Sequence, residues 1–319
     1  MICFSKKNKI IQKYKILNKK IFPIKKNKEN GIILAEFNAF QSLHISISYL
    51  SNFLAEKFNA KIVGYFNYCL VSSPLNQSIL TKLKWFLGTN LKLKIFSIYN
   101  SFGVKKFIHP KISPITSKIA NKEFKKLKEE LKTKDDIINL KISGIEVGTL
   151  IYDGFKIYHK VPYIDLKDKK FWIFLSDFIN LFYFWLKYIE ENNIKCVVGA
   201  HSVYAYGIPL RIAAYRKIPA FAIEDEYIHR LDLKNKFQHG EYKYFKKIFS
   251  SFTEIEKSKA KTISEKILNK RFSGMTGVHI NDSRITTSSF ANKFDINKRI
   301  LNDNNKIKVI IFTHEINDA

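Results

Sequence analysis

The most apolar segment of the chain, Phe171 to Leu186, sets the first limit on what can fold around it. Asp177 and Asn180 interrupt the run, and with Lys187 and Glu191 they fall on one narrow stripe at helical spacing. An uninterrupted membrane span needs about 20 apolar residues, and an acid near its centre is costly. The pattern therefore predicts a long helix over 168–191, buried on most sides within a soluble domain.

Around it, short apolar runs alternate with helical patterns. Residues 31–37 read as a buried strand, 41–57 as an amphipathic helix and 60–66 as a second strand, a β-α-β unit. Residues 80–87 look helical, 91–98 alternate like a strand, and Pro114 opens a helix running to about Lys132, followed by a strand at 137–142. Beyond the apolar helix come a strand at 195–199, a helix at 207–216 with Pro209 in its first turn, and a strand at 220–224. This alternation predicts an α/β fold on a parallel sheet. Residues 252–271 form a polar helix with a thin apolar face of Ile255, Ile263 and Ile267. The expected organisation is a Lys-rich tail at 1–30, one domain over 31–290, a linker at 291–305, and at 306–319 the first strand of a second α/β domain whose remainder lies beyond this chain.

Composition bounds the chemistry. Of 319 residues, 46% are hydrophobic, which excludes a disordered or fibrous chain. The three cysteines, Cys3, Cys69 and Cys196, form neither a CxxC pair nor a cluster with His, so a reducing, cytoplasmic setting without structural zinc is expected. A net charge of +27 raises the prospect of nucleic acid or anionic membrane. Codon drift in an A/T-rich gene competes as the cause, because Lys greatly outnumbers Arg and Ile, Asn and Phe are abundant. The six arginines, Arg211, Arg216, Arg230, Arg271, Arg284 and Arg299, then stand where drift favours Lys, and a planar guanidinium suits a carboxylate or phosphate. Residues 1–28 contain many lysines and no acid, without an apolar core or cleavage site for secretion. They read as a solvated tail or as a basic arm on anionic lipid.

In a parallel sheet, ligands bind outside the carboxyl ends of the strands. The first strand delivers Glu36 and Asn38 there, with His44 on the next helix; the strand at 195–199 delivers His201, Ser202 and Tyr204; that at 220–224 delivers Glu224, Asp225 and Glu226. Gly207 and Pro209 begin a helix whose free N–H groups could receive an anion beside Arg211. His201 is the sharpest candidate for a general base, with a capping role as the alternative. Residues 143–153, with Glu146 and Asp153, match neither a dinucleotide fingerprint nor a P-loop, but can wall a crevice.

Three segments in collinear order, 144–153 (GIEVGTLIYD), 201–213 (HSVYAYGIPLRIA) and 271–277 (RFSGMTG), resemble bacterial surface-carbohydrate and capsule polysaccharide biosynthesis proteins. The opening EFNAF at 36–40 and the closing FTHEINDA at 312–319 are similar to the same family, so the resemblance covers about 31–319. Two positions depart from its pattern: Thr149 stands where an acid is expected, and Glu315-Ile316 replaces an aromatic or Cys-containing segment. The resemblance implies a GT-B-like glycosyltransferase: two Rossmann-like domains with helices on both sheet faces, this chain being the N-terminal half. Strand ends, the helix start near Gly207 and this resemblance together point to His201 as candidate base or hydroxyl-orienting group, Arg211 as anion clamp, and Tyr204, Glu224, Asp153, Glu146, Asn38 and Arg271 as substrate-binding groups. The implied partners are a nucleotide-sugar donor and a glycan or glycolipid acceptor, without cofactor, metal or specific nucleic acid, while the Lys-rich arm adds the prospect of peripheral contact with an anionic inner membrane. An inactive half-domain of a split gene and a basic nucleic-acid-binding protein remain the alternatives; the second lacks any helix-turn-helix or RNP signature.

Overall fold

A computed structural model of the chain describes residues 2–22, 30–37, 41–65, 96–224, 227–238 and 244–272, with a few positions between 78 and 91. The chain divides into two compact units, Met1–Gly240 and Glu241–Thr313. The division thus falls after Gly240, inside the span read from sequence as one domain. The expected linker at 291–305 and the strand at 306–312 lie outside the described residues.

The first unit runs α1 (Ile2–Ile21), β1 (Ile32–Glu36), α2 (Gln41–Lys57), β2 (Lys61–Tyr65), α3 (Phe96–Ser101), β3 (Val104–Ile108), α4 (Pro114–Glu130) and α5 (Lys134–Ile138). It continues through the hairpin β4 (Lys141–Ile142) and β5 (Ile145–Glu146) to α6 (Gly148–His159), α7 (Lys169–Glu191), β6 (Ile194–Gly199), α8 (Gly207–Tyr215), β7 (Ala220–Ile223) and β8 (Ile228–Leu231). Six strands form one sheet in the order β3-β2-β1-β6-β7-β8. Every pairing is parallel except the last, where β8 returns antiparallel along β7. This is a doubly wound, Rossmann-like sheet with an antiparallel edge.

Side-chain alternation sends each strand into two cores. Leu34, Val63, Tyr65 and Val197 face the layer of α4, α6, α7 and α8; Ile33, Ala35, Ile62 and Val198 face α2 and α3. The thicker layer depends on α7. Asp168 caps it by accepting from the Lys170 N–H, and Phe171, Phe178, Phe182 and Trp185 are fully buried along its length. Its polar stripe is where the sequence puts it: Asp177 and Asn180 are half-buried and Ile173 is exposed. Among the described residues, no helix is long and apolar enough to cross a membrane.

Three local readings need correction. The residues read as a Lys-rich tail form α1, and its second half is packed: Asn18 is buried and donates to the Ser101 hydroxyl at 3.0 Å, while Tyr14 and Phe22 join the α2–α3 core. Residues 96–98, expected to end a strand, begin α3. The strand expected at 137–142 is α5 followed by β4, because Thr133 and Asp136 form a reciprocal capping box that starts a helix. The glycine-containing segment 143–153 is a hairpin and then α6; Ser143 and Gly144 both take positive φ, +49° and +78°, at its two-residue turn. The helix expected at 80–87 lies largely outside the described residues.

In the second unit, α9 (Phe245–Ser250) and α10 (Glu254–Phe272) are described. The latter is the polar helix foreseen, with Ile255, Ile263 and Ile267 all exposed.

Phe178→Ala should destabilise the protein by roughly 3–5 kcal/mol, since it empties a packed site on α7. Ile173→Ala on the same helix should cost less than about 0.5 kcal/mol. Urea midpoints at constant m-value measure both.

Candidate functional site

The strand order reverses between β1 and β6, and there the sheet opens a crevice at its carboxyl edge. β1 ends in Glu36, in register with Tyr65 of β2 and beside Gly199 of β6. A Cβ on Gly199 would stand 3.2 Å from Glu36 Oε2 and 3.3 Å from the Tyr65 hydroxyl, so only glycine leaves room for the pair. Glu36 is wholly buried. Its Oε2 accepts from the Ala200 N–H at 2.8 Å, while Oε1 and the Tyr65 hydroxyl have no hydrogen-bond partner among the described residues. Burial pushes the carboxyl up from 4.5 to about 8, against the pull of the Ala200 N–H, so at pH 7 it holds its proton.

His201 follows at once, half-buried, its ring 5.5 Å from that of Tyr206. Burial lowers its pKa and the Glu224 carboxylate opposes that shift, leaving a neutral imidazole at pH 7, the form a general base requires. Glu224 extends from the end of β7 and also faces the buried His229 of β8, with Nε2 and Oε2 3.9 Å apart, an ion pair whenever that imidazole is protonated. Glu224 opens onto a groove of about 500 Å³ between α2 and the β7–β8 turn. Ile45, Tyr49, Phe53, Ile223, Tyr227 and Ile228 give it apolar walls, and its volume lies within the range of small-molecule sites.

The sequence-derived candidates separate into three groups. His201 and Glu224 come together as described. Tyr204 sits in the short 3-10 turn after His201 with φ +52°, a strained value for a side chain of its size. It packs over Gly154 of α6, whose added Cβ would lie 3.8 Å from Tyr204 Cα. Burial raises the Asp153 carboxyl, with Lys156 and Lys134 opposing.

Arg211 and Glu146 form the third group, and their geometry departs from the anion clamp expected. The buried guanidinium lies 4.7 Å from the Phe237 ring, and Nη1 donates to the Glu146 carbonyl at 3.2 Å. The Glu146 carboxylate pairs with Lys236 and Lys141. At the helix start the Gly207 N–H donates to the Val203 carbonyl at 3.1 Å, and Pro209 has no N–H to offer. Gln238 connects this group to the turn bearing His201, accepting from the Ser202 N–H at 3.0 Å and donating to the Ala200 carbonyl at 2.9 Å. Asn38, Asp225, Glu226 and the side chains of His44 and Arg271 lie outside the described residues.

Sequence reasoning noticed Glu36 only as a strand end, and it missed His229, Gln238 and the groove. The signal for Glu36 was an acid closing an otherwise apolar strand. Among the described residues, no three His, Cys, Asp or Glu side chains are grouped to hold a metal ion. Burial drives the Cys196 thiol up to about 12, which removes it as a nucleophile. No family model matches the chain, and neither a curated protein nor a solved structure matches it.

Glu36 gives stability a definite pH dependence. Above its ordinary value near 4.5 the unfolded chain releases this proton while the folded chain keeps it until about 8. The contribution of this group is therefore greatest below pH 4.5 and declines by an order of a few kcal/mol as pH rises to 8. Glu36→Gln, neutral throughout, should flatten the fall in urea midpoint between pH 5 and pH 8; an unchanged slope would remove Glu36 as its source.

Proposed function

We infer that the Met1–Gly240 unit is the acceptor-binding part of a glycosyltransferase of bacterial surface-polysaccharide assembly. The arrangement that carries this reading is His201 just past the end of β6 with the Glu224 carboxylate acting on its imidazole, Glu224 itself lining a groove at the carboxyl edge of a Rossmann-like sheet. The resemblance of the 144–153 and 201–213 segments supports it, since both segments contribute to the surroundings of this turn.

In this reading a hydroxyl of the acceptor lies at His201 Nε2 or Nδ1. The imidazole takes the hydroxyl proton as the oxygen bonds to the anomeric carbon of a nucleotide sugar, and the nucleotide phosphate leaves with the electron pair. Glu224 stabilises the imidazolium that forms, in the way a carboxylate supports a base histidine. In the same reading Tyr204 and Asp153 serve as acceptor-binding groups. Arg211 acts through Phe237 and the Glu146 carbonyl as a positioning residue, keeping the 236–238 segment against Ala200 and Ser202. No cofactor enters the reaction.

Transfer from nucleotide sugars to polysaccharide-precursor acceptors tests the reading. In a protein that carries both domains, His201→Ala should lower turnover by about a hundredfold or more without a matching loss of thermal stability. Glu224→Gln removes the charge that raises the imidazole pKa, so the acid limb of the pH–rate profile should move to lower pH. Full turnover in His201→Ala would overturn the assignment.

A further inference from the structure

Beyond this reaction, α1 presents a surface that the transfer chemistry does not use. Its described half has two sides. Tyr14, Asn18 and Phe22, spaced by four, anchor it: the Tyr14 ring meets Phe102 at 6.0 Å, Asn18 bonds Ser101, and the Phe22 ring meets Tyr49 at 5.1 Å. Lys13, Ile16, Leu17, Lys20 and Ile21 recur at i, i+3, i+4, i+7 and i+8, and all are exposed. Ile16 is 69% exposed, Leu17 50% and Ile21 42%, although the same helix buries an asparagine on its other side. Three large aliphatic side chains turned outward on a docked helix are not fraying; the anchors fix them there. The helix sequence carries lysines throughout and no acid.

We propose that this face of α1 docks on an anionic lipid bilayer. Bare aliphatic side chains interleaved with lysines match the two layers such a surface offers, anionic head groups above acyl chains. A purely electrostatic partner would have no use for Ile16, Leu17 and Ile21, and a purely apolar one would have to desolvate Lys13 and Lys20. The helix lies along the interface and does not span it, in keeping with its alternation of charged and apolar residues. Its last turn adjoins the groove through the Phe22–Tyr49 contact, so docking brings the groove that the glycosyltransferase reading assigns to the acceptor close to a lipid surface.

Because a chain of +27 adheres to any anionic vesicle, the test holds charge constant. The full chain and its Ile16→Ser/Leu17→Ser/Ile21→Ser variant are floated with phosphatidylcholine vesicles and with mixed phosphatidylcholine–phosphatidylglycerol vesicles. Salt is set at about 0.1 M and about 1 M, where the Debye length falls from about 10 Å to about 3 Å. The native chain should bind the mixed vesicles, retain part of that binding at high salt, and lose about tenfold or more in affinity in the serine variant with its melting temperature unchanged. Equal binding of the two proteins at both salts overturns the proposal and leaves diffuse charge as the cause. Failure of the native chain to bind at low salt overturns it as well. A native dimer that becomes monomeric in the serine variant assigns the face to a second copy and overturns it too. None of these readouts depends on sugar transfer, so the proposal and the enzymatic reading fail separately.

Discussion

The position of the candidate site depends on the burial of α7. A helix apolar on nearly all sides is stable only when covered, and here α4, α6, α8 and the sheet cover it together. The chain passes from α7 into β6 through Asn192 and Asn193. The Asn193 carbonyl accepts from the Ile32 N–H at 2.9 Å and its side chain donates to the Asn30 carbonyl at 2.8 Å, which sets β6 against β1. That register carries Gly199 and Ala200 alongside Glu36, so the turn bearing His201 is fixed by the helix that precedes its strand.

Elements that bury continuous apolar runs were legible in the sequence, since β1, β2, β6, β7 and α7 all read correctly within a few residues. The two strands of the six-stranded sheet that escaped notice, β3 and β8, are its edges. β3 carries Lys105 and Lys106 and β8 carries Arg230 on exposed positions, so neither shows an apolar run. Outward charge on an edge strand prevents pairing with other chains and also erases the pattern by which strands are recognised. α1 was misread for a related reason: its anchoring rests on Tyr14, Asn18 and Phe22, too few apolar positions to stand out among lysines.

For the site, residue types at strand ends are visible in the sequence, and the topological rule assigns His201 and Glu224 to one edge of the sheet. Pairing and burial were not visible. Nothing in the run Glu224-Asp225-Glu226 says that Glu224 faces two histidines, one of them on a strand the sequence did not reveal. Glu36 was equally opaque, because its raised pKa arises from burial, and the Tyr65 and Gly199 that close around it are distant in sequence.

The arginines show how a compositional clue can be sound while its interpretation shifts. In a lysine-rich chain an Arg marks a place where a point charge does not suffice, and that holds for Arg211 and Arg216. Arg211 lies over Phe237 while bonding the Glu146 carbonyl, and Arg216 lies 5.7 Å from the Tyr215 ring while pairing with Glu190. Each position requires a flat cation that can stack on a ring and direct a hydrogen bond in its own plane, which an ammonium cannot do. The guanidinium at 211 therefore serves the fold around the site: it holds Phe237, and through the next residue Gln238 it keeps Ala200 and Ser202 where Glu36 and His201 need them.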